Sequence, residues 1–246
     1  MDWLAEINKR AAWLREQLED SGAKGFIYGN SGGKDSALAG ILCRRASANT
    51  LGLHMPCYTH GKTPEDREHA ALVSEKFEIP LKTIDLTDLR ALFIDRVQWH
   101  TMLDGDTLHD IVDYLRMTTL YTIASAEHRL VVGSANRSEL YIGRFTKYGD
   151  GARDLLPLAD LTSTEVRECL KSLDVPAAIY DKISSSGHFE GHTDEDDIGL
   201  KYSDLDAYLF TGVASDFDRV LIERRHRESA YKRNPAKKYE KSMGVG

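Results

Sequence analysis

Gly25-Phe26-Ile27-Tyr28-Gly29-Asn30-Ser31-Gly32-Gly33-Lys34-Asp35-Ser36 is the stretch from which the rest of this 246-residue sequence can be read. Phe26, Ile27 and Tyr28 form a short, bulky apolar run bounded by glycines, the pattern of a strand buried on both faces. A turn with two hydroxyls, adjacent glycines and a carboxylate follows. From 34 to 46 the apolar residues Ala37, Leu38, Ile41 and Leu42 recur at helical spacing, with Arg44 and Arg45 near the end to complement the helix dipole. A loop between a strand and the positive end of a helix offers unshielded backbone amides to an anion such as phosphate. It is not a Walker A loop: three residues separate Gly29 from Gly33, and Asp35 stands where a Mg2+-binding hydroxyl would be required. An acid beside a phosphate cradle makes sense when it holds a cation that bridges the phosphates. The bland alternative is a glycine turn with a capping aspartate.

The same alternation continues outward. Leu4, Ile7, Ala11, Leu14 and Leu18 predict a surface helix over 3–20, ended by Ser21-Gly22. A strand is expected over 50–55, then a helix to residue 77 opened by Thr63 as cap, Pro64 at its first position and the acids Glu65 and Asp66. Further strands are expected over 81–86 and 129–133, separated by helices over 89–97 and 108–126. Strands alternating with helices imply an α/β fold, a parallel sheet with helices on both faces. Ligands of such sheets sit beyond the carboxyl ends of the strands, so the loops starting at Gly29, Pro56 and Ser134 should share one crevice. After Gly143 the chain turns polar, Thr162-Ser163-Thr164-Glu165 opens a capped helix to about residue 173, and helices are expected over 203–209 and 216–227. Residues 184–197 read as a mobile, acidic connector. The whole chain, 1–246, reads as one domain.

Composition limits the function classes. No stretch approaches the length of a membrane span, and the first residues lack a basic and apolar leader. Cys43, Cys57 and Cys169 are an odd number without CxxC spacing, which argues against disulfides or a zinc finger and predicts a soluble protein of the reducing cytoplasm. Net charge is -7, and eight basic against two acidic residues lie between Arg224 and Lys241. The remainder then holds 24 basic and 37 acidic residues, a balance that repels a nucleic-acid backbone. The basic tail, 224–246, reads first as a solvated arm and otherwise as a segment folded back over a phosphate-bearing ligand. Nine histidines include no HExxH pair, and Cys57 has no local base, so neither a zinc site nor a thiol nucleophile is expected.

The loop at 31–36 resembles the SGGxDS pyrophosphate-binding loop of the N-type ATP pyrophosphatases. Phe145-Thr146-Lys147-Tyr148-Gly149-Asp150-Gly151 followed by Asp154-Leu155-Leu156-Pro157-Leu158 is similar to the longer FTKYGDGxxDLLPL signature of ammonia-dependent NAD synthetases. Arg116-Met117, Ser138-Glu139, the run from Gly187 to Glu195, and Tyr231-Lys232-Arg233 with Pro235 extend the likeness over about residues 10–236. The resemblance implies an adenine nucleotide alpha hydrolase-like fold and a ligase that adenylates the carboxylate of deamido-NAD with ATP, then amidates it with ammonia to give NAD, AMP and pyrophosphate. It implies that Gly29, Ser31, Gly32, Gly33, Lys34, Asp35 and Ser36 hold the ATP phosphates, with Asp35 and Glu139 as Mg2+ ligands. Arg116 and Thr146 then serve the bound nucleotides, Lys147 and Asp150 position the substrate and intermediate, and Ser185 brings a hydroxyl from the connector to ATP. A homodimer is implied too, with the region around Arg116 at the interface; Ile111, Leu115, Leu120 and Ile123 of the 108–126 segment would suit it as an apolar face, although an ordinary core helix looks the same. All 246 residues are used by the ligase-like region, so ammonia arrives free or from another chain.

The sequence departs from that pattern at informative places. Tyr114 stands where a second arginine is usual, Asp110 where an asparagine is, Ser163 where a lysine is, and His69 where an acid is. Ser184, His188, Phe189 and His192 likewise change the connector. Two alternatives therefore stand beside the main reading: a paralogous ligase amidating a different carboxylate, and a nucleotide-binding module that has lost turnover.

Overall fold

Phe26, Ile27 and Tyr28 are completely enclosed, as a strand with partners on both edges and helices on both faces must be. In the computed structural model, which describes residues 1–57, 64–182 and 193–239, they belong to β1 (Gly25–Gly29), the second of four parallel strands from one edge. The sheet order is β3-β2-β1-β4, with β2 Thr50–His54, β3 Leu81–Thr83 and β4 Arg129–Val132. Ile27 lies opposite Leu51 on one side and Val131 on the other. The order reverses direction between β1 and β4, and that switch point opens the crevice in which a ligand fits.

Helices α1 (Trp3–Ser21) and α2 (Lys34–Ala46) cover the face that carries Phe26 and Tyr28, joined there by α7 (Ser163–Ser172) and α8 (Ala177–Tyr180). Gly40 of α2 leaves the room in which the Tyr28 ring lies, since a Cβ there would stand 2.3 Å from the phenol oxygen. On the other face Ile27, Leu53 and Val131 meet α5 (Gly105–Glu127) through Val112, Met117 and Leu120. Val73 of α3 (Pro64–Lys76) joins the first face, α4 (Thr87–Val97) packs on α5, and α6 (Arg137–Ile142) follows β4 and meets α7. A third cluster of Ile142, Ile198, Tyr202, Leu205 and Ile222 joins α6 to α9 (Asp194–Ile198), α10 (Tyr202–Thr211) and α11 (Asp216–Glu228), and α12 (Ala230–Arg233) ends the helices. No helix among the described residues is long and apolar enough to cross a membrane. The three cysteines are free and buried.

Four details differ from the sequence reading. β3 stops at Thr83 rather than continuing to Leu86, because the Asp85 side chain accepts the Thr87 N–H at 2.9 Å and turns the chain into α4. Of the connector at 184–197, residues 184–192 lie outside the described residues, whereas Thr193 and Asp196 form a capping box that opens α9. The basic segment is no solvated arm as far as Arg233. The Lys232 ammonium donates to the carbonyls of Phe145 and Gly143 at 2.8 and 3.2 Å, and Arg233 donates to Tyr141 O at 3.0 Å. Finally, the apolar face of α5 is spent inside the chain: Ile111 and Leu120 are buried, and Leu115 and Ile123 pack on the second core.

Candidate active site

Gly29, Pro56 and Ser134 line one cavity of about 950 Å³, as the strand-end rule anticipates. Its floor is the loop after β1. Asn30 is buried and ties this loop to α3, donating to Ala70 O at 3.2 Å and accepting the Gly32 N–H at 3.1 Å. Gly32 has φ +75°, and a side chain there would collide with the Asp66 carbonyl, 2.4 Å from an added Cβ. Ser31 and Ser36 face each other at 3.0 Å between hydroxyl oxygens. Gly33 begins α2 with no side-chain cap, so the amides of the first turn remain available to an anion.

Across the switch point, β4 delivers Asn136 and Glu139. Asn136 caps α6 in a reciprocal box with Glu139, and its amide also donates to Asp35 Oδ1 at 2.9 Å. The two acids predicted as metal ligands are thus brought together through Asn136, which lies 101 residues from Asp35 in the chain. Burial, and then the nearby Asp35 charge, push the Glu139 carboxyl up to about 8. Two hard carboxylates brought to one place fit a cation such as Mg2+. Among the described residues no group of three His, Cys, Asp or Glu side chains is placed to hold a metal, so phosphate oxygens would have to complete the shell. Lys34 is buried beside the pair, its ammonium 2.5 Å from Asp35 Oδ2. Burial opposes that charge, but Asp35 and Glu139 outweigh it and raise its pKa above the ordinary lysine value.

The far wall is the 145–151 loop. Thr146 is its anchor, donating its N–H to Asp150 Oδ1 at 2.7 Å while its hydroxyl lies 2.7 Å from Asp110 Oδ1 and 2.9 Å from Asp113 Oδ2. Gly149 is required because a Cβ there would come within 2.5 Å of the Asp113 side chain. Arg116 holds Met55 O at 3.1 Å and faces Asp113 at 3.9 Å. The Asp154 part of the signature serves the sheet: its carboxylate accepts the Val131 N–H at 2.7 Å on β4 and the Tyr121 hydroxyl at 3.0 Å.

Of the predicted site residues, Gly29, Ser31, Gly33, Lys34, Asp35, Ser36, Arg116, Glu139, Thr146 and Asp150 line this cavity. Gly32 backs onto α3 instead. Lys147 is not in the cavity wall: its ammonium donates to Tyr231 O at 2.7 Å and lies over the Tyr148 and Tyr231 rings. Ser185 lies outside the described residues. The sequence reading missed Asp206, a buried carboxylate of α10 that joins α6 to α7, and Arg144, which donates to Asp194 at 2.9 Å and Asp197 at 3.0 Å. Neither sits in a recognisable motif, and only their spatial neighbours reveal them.

Asp150 carries a measurable consequence. Its residue is exposed at the cavity mouth, yet the surrounding protein first, and Asp113 second, push its carboxyl above the usual range. Cavity water keeps that push below what a sealed site would give. A carboxyl whose folded pKa is raised contributes stability that is complete below its unfolded pKa of about 4 and is lost as the pH climbs through the folded value. Asp150→Asn should therefore reduce the loss of stability between about pH 5 and about pH 8, measured by urea unfolding of the nucleotide-free chain. An unchanged pH slope would remove Asp150 as its source.

A parallel α/β sheet whose switch point joins a helix-terminal anion loop to an acid pair is the form of a nucleotide-binding protein. A family profile described as NAD synthase matches residues 6–240. The NH3-dependent NAD+ synthetase of Carboxydothermus hydrogenoformans is 37% identical over 236 residues, covering 95% of this chain and 96% of that protein. The solved structure of NMN synthetase from Francisella tularensis superimposes with a TM-score of 0.92 at 33% identity, covering 97% of this chain and 99% of that one. An NH3-dependent NAD synthetase from Campylobacter jejuni gives 0.80 at 26%, with 98% and 100% covered. The chain belongs to the NAD synthase family, and it is a carbon-nitrogen ligase of that family.

Proposed function

We propose that this chain uses ATP to adenylate the carboxylate of deamido-NAD and amidates it with ammonia, giving NAD, AMP and pyrophosphate. The observation that carries the reading is that the anion loop and the Thr146–Asp150 turn line the same cavity. Ser31, Ser36 and the first amides of α2 bind the ATP phosphates, and Asp35 and Glu139 would hold Mg2+, which supplies positive charge to the departing pyrophosphate. A carboxylate is a poor electrophile. Its oxygen attacks the α-phosphorus, pyrophosphate leaves, and the resulting mixed anhydride carries AMP as a good leaving group. Ammonia then attacks the carbonyl carbon and AMP departs. The nitrogen sheds a proton in that step, and the Asp113 and Asp150 carboxylates are suited to take it, both raised first by the surrounding protein, Asp113 further by Asp110 and Asp150 further by Asp113.

The acceptor has a second reading, favoured by the Francisella NMN synthetase likeness and by Tyr114, which stands exposed at 42% on α5 one turn from Asp110. That reading replaces the dinucleotide by nicotinate mononucleotide, which has no second phosphate-linked nucleoside for an arginine to grip. The deciding assay supplies purified protein with ATP, Mg2+, ammonium and either carboxylate, and measures the amide and AMP. NAD should form, with kcat/KM for deamido-NAD little affected by salt, because a tyrosine face replaces a charge. Tyr114→Arg should raise that kcat/KM about tenfold and make it salt-sensitive, while the mononucleotide value moves little. A parent that amidates only the mononucleotide would establish the second reading, and release of neither amide nor pyrophosphate would leave a binding module.

The homodimer is kept as part of the proposal on a different surface. Leu89, Leu92 and Phe93 of α4, with Trp99 and Met102 beyond it, are exposed beside α5 and would be covered by a second copy. Light scattering at micromolar concentration tests this. The three buried free thiols suit a reducing cytoplasm.

A further inference from the structure

Lys34 sits inside the anion loop, yet its ammonium does not stand ready in open solvent. It is 3% exposed, 2.5 Å from Asp35 Oδ2, and lies 5.8 Å from the centre of the Tyr202 ring. The other Asp35 oxygen receives the Asn136 amide at 2.9 Å, and Glu139 Oε2 receives the Asn136 N–H, also at 2.9 Å. Both oxygens of Asp35 are therefore engaged, and a fixed positive charge already occupies the place where a divalent cation would seek its partner. The positive end of α2 adds potential of the same sign.

We propose that Lys34 is a resident counter-cation of the Asp35–Glu139 pair, a positioning residue that makes Mg2+ binding conditional on the phosphates of ATP. This rests on the metal reading given above. Without nucleotide, Mg2+ has to compete with the ammonium for one carboxylate oxygen and is repelled by it, with few ligands in return. ATP reverses the balance, since its phosphates bring several negative charges and additional oxygen ligands into the cavity. Lys34 and Mg2+ can then share the carboxylates. Once pyrophosphate has left, the ammonium again neutralises the pair.

The test is calorimetric titration of MgCl2 into the nucleotide-free full chain, for the parent, Lys34→Met and Lys34→Arg. The parent and the arginine variant should show no saturable binding in the millimolar range, and Lys34→Met should bind Mg2+ at least about tenfold more tightly than the parent. Mg2+ should correspondingly raise the melting temperature of Lys34→Met and leave that of the parent unchanged. If Lys34→Met is too unstable to purify, Lys34→Gln removes the charge while keeping a hydrogen-bond donor. Equal Mg2+ affinity in the parent and the neutral variants would overturn the proposal, as would tight Mg2+ binding by the parent alone. Titration of ATP with and without Mg2+ into Asp35→Asn separates the two levels. If that variant keeps the Mg2+ dependence of the parent, the metal reading itself fails. If it loses the dependence while the neutral Lys34 variants gain no affinity, only the role of Lys34 falls.

Discussion

Asp35→Ala and Glu139→Ala are each expected to slow pyrophosphate release by about 10²–10³-fold at saturating ATP and ammonium, with the fold intact. The expectation comes from where these acids sit. Asp35 opens α2 beside the phosphate loop, Glu139 opens α6 beyond β4, and Asn136 bridges the two loops through the Asp35 carboxylate. Either substitution removes one of the two carboxylates that would hold the cation and leaves more of the pyrophosphate charge to the loop amides and Lys34. Circular dichroism and urea unfolding should show both variants folded, although Glu139→Ala also breaks half of a capping box and should lose about 1 kcal/mol more. Near-normal pyrophosphate release by either variant in excess Mg2+ would make that carboxylate purely structural.

Asp206→Ala should have the largest effect on stability, about 2–4 kcal/mol in urea unfolding, and should weaken ATP turnover although Asp206 is not part of the cavity wall. Asp206 is 3% exposed. One of its oxygens accepts the Ser138 hydroxyl, and the other accepts the Thr164 N–H at 2.8 Å and its hydroxyl at 2.7 Å. It thereby clamps the second residue of α6 to the first turn of α7, where the helix dipole favours a negative charge. Ser138 in turn accepts the Ser163 N–H at 3.1 Å, so the network extends through three elements. Removing the carboxylate strands the buried Ser138 hydroxyl, takes the acceptor from the Thr164 N–H and hydroxyl, and frees the helix that carries Glu139. Asp206→Asn keeps one acceptor oxygen and should lose about half as much. If the alanine variant were as stable as the parent, the clamp would be incidental and Glu139 would owe its position to its own cap alone.

The Asp206 clamp and the anion loop mark opposite ends of what can be read from residues in order. The loop was legible because all of its parts are local: a buried strand, a tight turn and a helix start occupy twelve consecutive residues, and short-range sterics leave few ways to arrange them. The alternation of strand and helix was legible for a related reason, since apolar periodicity records which faces are covered. Local periodicity was a poorer guide where neighbours decide. The end of β3 is set by an aspartate turning the chain, and Lys232, charged and close to the end of the chain, is pinned by two carbonyls of the 143–145 segment. Lys147 shows the same limit within a motif, for its position in the signature says nothing of the Tyr231 carbonyl that holds it.

By itself, then, the sequence determined the α/β class and the strand, turn and helix start that join β1 to α2, because each depends on neighbours a few residues away. Only the tertiary structure decided that Asp35 meets Asn136 and Glu139 across the sheet's switch point, that Asp206 fastens the helix carrying one of those acids, and that Lys34 turns inward to them. Those contacts join loops far apart in the chain. Their energies depend on burial and charge, quantities that exist only once the sheet has brought the loops to one place.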